Sequence, residues 1–183
     1  MHWFLKQIEN SFLEMKSVRS LSVCAMLTAM CVMLGMFHLP LGNSIQLSFG
    51  FLAMGLLGAW YGPVMAALCG GISDLLSFLL FPSGVFFPGF TLSAMLGGFL
   101  YGLVLYRKPI RFCRVLVAFA LVGILINFIL NTFWVALLYG YGIWALLPVR
   151  AFKNLVTIPL NAFLFYLISK PLTYYFWSNS SHL

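Results

Sequence analysis

Acidic residues are nearly absent. Only Glu9, Glu14 and Asp74 carry a carboxylate side chain among 183 residues, and charged residues of either sign make up 7%. A water-soluble domain needs a charged surface, so that class is excluded. Three scattered carboxylates offer no paired acid–base site and no acidic metal cluster. HExxH, Walker A and GxSxG spacings are missing, and Ser, His and Asp are not grouped. This removes the common hydrolase, nucleotide-binding and intramembrane-protease readings. His2, His38 and His182 lie at chain ends or a helix end. Cys24, Cys31, Cys69 and Cys113 show no CxxC or Cys/His spacing and sit in or beside apolar runs, so they read as small packing residues. No metal or cofactor is expected. No cleavable signal is expected either, because Glu9, Glu14 and polar neighbours stand where its apolar core would be.

What is present is apolar. The chain is 63% hydrophobic, and its mean hydropathy of +1.04 marks a polytopic membrane protein. The runs are long and do not alternate, which points to an all-α membrane domain and not a barrel. Six transmembrane helices are expected, over about 17–39, 49–61, 63–81, 89–106, 112–139 and 147–171. Segment 49–61 is short for a full span and reads as tilted or extended at its start. Gly62-Pro63 makes a tight turn, with Pro near the first position of the next helix. One integral domain results: residues 1–16 as an amphipathic lead, about 17–172 as the bundle, and 173–183 as a tail.

The net charge of +7 is not a nucleic-acid footprint, because its cations flank hydrophobic spans. With six crossings, Lys6, Lys16, Arg19, Arg107, Lys108, Arg111, Arg114 and Lys170 all fall on one side. The positive-inside rule makes that side cytoplasmic, with both termini there and the chain in the cell membrane. Arg150 and Lys153 alone fall on the outer half. With Asn154 they are spaced i, i+3 and i+4, so a helix presents them on one face. A cation at mid-membrane costs about 2.5–3.5 kcal/mol. Snorkelling to the headgroups is one explanation; the outward position favours a binding site.

Other polar groups fall at the same depth. Asp74 lies about 18 Å along its helix from Gly62, and Asn127 and Asn131 share a face one turn apart. Asp74 reads either as a ligand group or as an ion-pair partner of Arg150 or Lys153. The asparagines read either as ligand groups or as interhelical hydrogen-bonding glue. Two cations and one acid favour an anionic ligand, and amides beside a carboxylate suit a heterocycle rich in donors and acceptors. Phe86, Phe87, Phe90, Trp134, Tyr139 and Tyr141 are available to stack on such a ring or to pack in the core. The uncharged outer linkers 40–48 and 82–88 suit lids. Small residues four apart occur at Ala25/Ala29, Gly58/Gly62 and Gly98/Gly102, fit either for packing inside the bundle or for a partner membrane protein.

Residues 17–172 resemble the substrate-binding S components of energy-coupling factor (ECF) vitamin transporters in size, helix number and the basic loop between helices four and five. Ala25-Met26-Leu27-Thr28-Ala29 is similar to that family's AxxxA pattern on helix one. Three stretches resemble the folate branch: Phe87-Pro88-Gly89-Phe90-Thr91-Leu92-Ser93-Ala94, Asn131-Thr132-Phe133-Trp134, and Leu147-Pro148-Val149-Arg150-Ala151-Phe152-Lys153-Asn154. The resemblance implies capture of a reduced folate outside and toppling on a complex of a transmembrane coupling protein and two ATPases. The chain itself would be no enzyme. It implies Ala25 and Ala29 as the docking face and the two outer linkers as gates. Chemistry then suggests Arg150 and Lys153 for the carboxylates of a glutamate tail or for orienting Asp74. Asp74, Asn127, Asn131 and Asn154 would read a pterin-like edge, with Trp134 or Phe90 stacking. An S component for riboflavin, thiamine or a queuine-like base, a stand-alone facilitator, a membrane enzyme and a structural subunit remain the competing readings.

Overall fold

Ser17 stands in extended backbone, and its hydroxyl accepts the Ser20 amide at 3.5 Å, capping helix α1 (Val18–Met36). The computed structural model describes residues 7–8, 11–12, 15, 17–40, 46–82, 86–140 and 143–180. After α1, strands β1 (His38–Pro40) and β2 (Gln46–Ser48) pair antiparallel, with Leu39 opposite Leu47. The linker between α1 and the helix that follows thus carries a short ladder where only a loop is expected. The tips of both proposed lids, 41–45 and 83–85, lie outside the described residues, as does Tyr141.

Helix α2 (Gly50–Leu80) breaks at Gly62, whose φ of 87° and ψ of −176° suit glycine and not a residue with a Cβ. Pro63 follows, needing no amide partner at a helix start. The break reverses the chain. Met54 and Gly70 are 16 residues apart, about 24 Å along an unbroken helix. A Cβ on Gly70 would nevertheless lie 3.3 Å from the Met54 methyl. Ser11 pins the turn: its buried hydroxyl donates to the Tyr61 carbonyl at 2.8 Å and accepts the amides of Val64 and Met65 at 3.2 and 3.3 Å.

Helix α3 (Pro88–Leu105) runs antiparallel along the second limb of α2. Gly70 abuts the Ala94 carbonyl, Gly98 abuts Ala66, and Gly102 abuts Pro63. A rod follows, made of α4 (Phe112–Leu121), a π-helical segment (Val122–Leu130) and α5 (Asn131–Tyr139). Gly140, left-handed at φ 68°, ends it. Helix α6 (Ile143–Ser180) keeps Pro148, Pro159 and Pro171 inside it, so it starts earlier and ends later than the prolines suggest. Phe119 knits the core, with its ring 5.6 Å from Phe51, 5.0 Å from Tyr101 and 5.4 Å from Phe165.

Five helices among the described residues are long and apolar enough to cross a membrane, with 112–138 counted as one. The expected six differ from this count because 49–61 and 63–81, expected as two crossings, fall within the single α2, which carries a break at Gly62. Leu79, Leu155 and Met26 are among many large apolar side chains facing outward, as a multi-pass membrane protein requires.

Candidate binding site

Asp74, Asn127 and Asn131 meet at a cavity of 410 Å³, within the range of small-molecule pockets. Asp74 and Ser77 on α2, Phe90 and Ser93 on α3, and Asn127 and Asn131 on the rod contribute to its wall. Gly35 on α1 and Gly50 at the start of α2 complete one side without side chains. The reversal at Gly62 matters here, because it returns Asp74 to the level of Gly50.

Asp74 is met by Thr91, whose hydroxyl donates to its carboxylate at 2.7 Å. The alternative of an ion pair with Arg150 or Lys153 is not what the structure builds: both cations belong to α6, and Thr91 fills the place. A charge-assisted hydrogen bond holds the carboxylate in one rotamer and leaves its other lone pairs for a ligand. Asn131 donates its amide to the Asn127 side-chain oxygen at 3.3 Å. The Asn131 oxygen is buried and has no partner. A buried amide oxygen in that state costs about 1–3 kcal/mol unless a donor meets it.

An aromatic cluster joins Phe90 of the wall. Phe87 lies 6.0 Å from Phe90 and 5.4 Å from Trp134, and Phe133 lies 5.2 Å from Trp134. The Trp134 indole donates to Ser93 at 3.1 Å, so Trp134 buttresses the wall from behind. Among the described residues, Trp134, Arg150, Lys153 and Asn154 stand outside the cavity lining. Arg150 donates to the Asn127 main-chain carbonyl at 3.4 Å, and Asn154 to that of Gly123 at 3.3 Å. Lys153 is half-buried between them in sequence.

Residues 19–169 match the family model of the ECF transporter substrate-specific component. The chain belongs to that family. Among curated relatives of this S component, the folate transporter FolT of Clostridium novyi is 37% identical over 122 residues, covering 67% of this chain and 71% of the relative. The folate transporter FolT of Leuconostoc mesenteroides is 32% identical over 157 residues, covering 82% and 84%. A crystal structure of FolT bound with folic acid superposes with a TM-score of 0.75 at 33% identity, covering 82% of this chain and 92% of the other.

On the S component's first helix, Ala25 and Ala29 are exposed, beside the exposed Met26, Met30 and Met33. The glycine pairs behave differently. Gly58 and Gly102 are buried against each other, where a Cβ on Gly58 would lie 2.7 Å from the Gly102 nitrogen. Sequence reasoning passed over Thr91, Ser77 and Ser93. Ser77 was within reach, since it stands three residues after Asp74 on the same helix.

Proposed function

We propose that this S component captures folate at the outer face of the cytoplasmic membrane and passes it inward on an ECF module. The observation that carries the reading is the likeness to FolT bound with folic acid, 33% identical across 82% of this chain. The cavity chemistry agrees with it. The unpartnered Asn131 oxygen awaits a donor, and Asp74, on the wall of the same cavity, accepts further donors. A pterin edge, with its 2-amino group next to N3–H, offers adjacent N–H donors to such acceptors. Phe90 supplies an aromatic wall for its ring. Lys153 on α6 is the cation assigned to the glutamate carboxylates.

The single integral domain is read with six crossings, the two limbs of α2 counted separately. Both termini, the lead 1–16 and the tail 173–183, are placed in the cytoplasm with the eight cations of that side. A transmembrane coupling protein docks on the exposed Ala25/Ala29 face, and two ATPases supply the energy. The short β1–β2 ladder and the linker before α3 gate the outer mouth.

Titration of the purified protein in detergent tests the substrate. Saturable binding of folic acid and of a reduced folate, with none of riboflavin or thiamine, is the expected result. Binding of a control instead keeps the family and overturns the substrate. Proteoliposome uptake is expected only with the coupling protein and ATPases present; uptake without them would make the chain a lone facilitator.

A further inference from the structure

Four residues of the rod line the cavity: Val122, Ile126, Asn127 and Asn131. Val122 and Asn131 are nine residues apart. An α-helix turns about 100° per residue, so nine residues would set them on opposite faces. When the bond lengthens to i+5, the turn falls to roughly 80° per residue, and nine residues come close to two full turns. The π geometry therefore gathers all four on one wall. The Asn131 amide, bonded to the Ile126 carbonyl five residues back, marks the end of the segment.

A π-helix is rare and needs support from outside. Helix α6 provides it. Arg150 donates to the Asn127 carbonyl and Asn154 to the Gly123 carbonyl. Both pairs are four residues apart, so two antiparallel rods meet in one register. Gly123 permits the approach: a Cβ there would lie 2.6 Å from the Ile158 methyl.

We propose that Arg150 and Asn154 are positioning residues that clamp the π segment and so aim Asn127 and Asn131 at the ligand's ring, without touching the ligand. This rests on the folate reading for its choice of probe. It assigns opposite behaviour to neighbours on α6. Lys153→Met should weaken folic acid and spare pteroic acid, which lacks the glutamate. Arg150→Met and Asn154→Ala should weaken both by about tenfold each, because the loss is at the ring.

The test is calorimetric titration of wild type and these variants with both ligands. A double-mutant cycle pairs Arg150→Met with Asn131→Ala. The clamp predicts that Asn131→Ala costs much less in the Arg150→Met background than in wild type. An Arg150→Met loss confined to folic acid would make Arg150 a tail contact and overturn the proposal, as would strict additivity in the cycle. Should wild type bind neither ligand, the folate reading fails, and amide hydrogen exchange without ligand judges the clamp by itself. Faster exchange across 122–131 in the double variant Arg150→Met/Asn154→Ala sustains it; unchanged exchange there rejects it.

Discussion

The α2–α3 contact and the contact between α6 and the π segment are made of opposite materials. The first is backbone against backbone. At Gly58, Gly98 and Gly102 the seam lacks side chains of its own, so main-chain atoms of the two helices touch directly. The second is side chain against backbone, with Arg150 and Asn154 reaching across to main-chain carbonyls. Lipid gives no hydrophobic drive for helices to associate, so dense packing has to hold the first seam. Such a seam has one arrangement. A seam of long polar side chains sets register while leaving room beside it, and the cavity lies along its rod. The glycine seam between α2 and α3 sets the scaffold, and the polar half is the cavity wall, to which α2 and α3 lend Asp74, Ser77 and Ser93 beside the asparagines of the rod.

Breaking the packed seam should have the largest effect. Gly98→Leu drives a side chain into the Ala66 carbonyl, and overpacking of this kind costs about 1–3 kcal/mol or more. Loss of monodisperse protein in detergent is expected. Gly97→Ala is the internal control, because its nearest neighbour would be Val122 at 3.9 Å, and it should melt like wild type. Next comes the exposed face of α1. Ala25→Trp or Ala29→Trp should abolish uptake in the presence of the ECF module while folic acid still binds; normal uptake by both would remove this face from docking.

The polar half should respond in affinity and not in folding. Asp74→Asn and Asn131→Ala are expected to weaken folic acid by about tenfold to a hundredfold, with thermal melting near wild type. A variant that melts early and binds normally would blur the division between the halves. The smallest effect belongs to the pin on the turn. Ser11→Ala leaves the Val64 and Met65 amides and the Tyr61 carbonyl without that hydroxyl, and should cost about 1–2 kcal/mol in denaturant titrations, with affinity unchanged.

The two halves also differed in how far they could be read from sequence. Gly62-Pro63 announces its own break, because glycine alone tolerates that φ and proline needs no amide partner there. Charge asymmetry and hydropathy predict the helices and the depth of Asp74, Asn127 and Asn131, and the last three do meet at the cavity. The π segment left no such mark. Val122-Gly123-Ile124-Leu125-Ile126 suits an α-helix as well, and the side chains that meet its carbonyls lie on α6, far along the chain. The partners of Arg150 and Asn154 were hidden for a related reason: they are carbonyls, which every residue has. An i, i+3, i+4 polar triad says that something polar faces it but not whether that is ligand or backbone. Thr91 was missed because a hydroxyl matters only once Asp74 is known to lie beside it.

Amide hydrogen exchange of the intact protein, with and without saturating folic acid, tests the division between the halves most directly. The account predicts slowed exchange on binding across 122–139 and around Asp74 and Phe90, with the seam at 58–66 and 98–105 unchanged. Protection appearing in that seam while 122–139 stays as it was would contradict it.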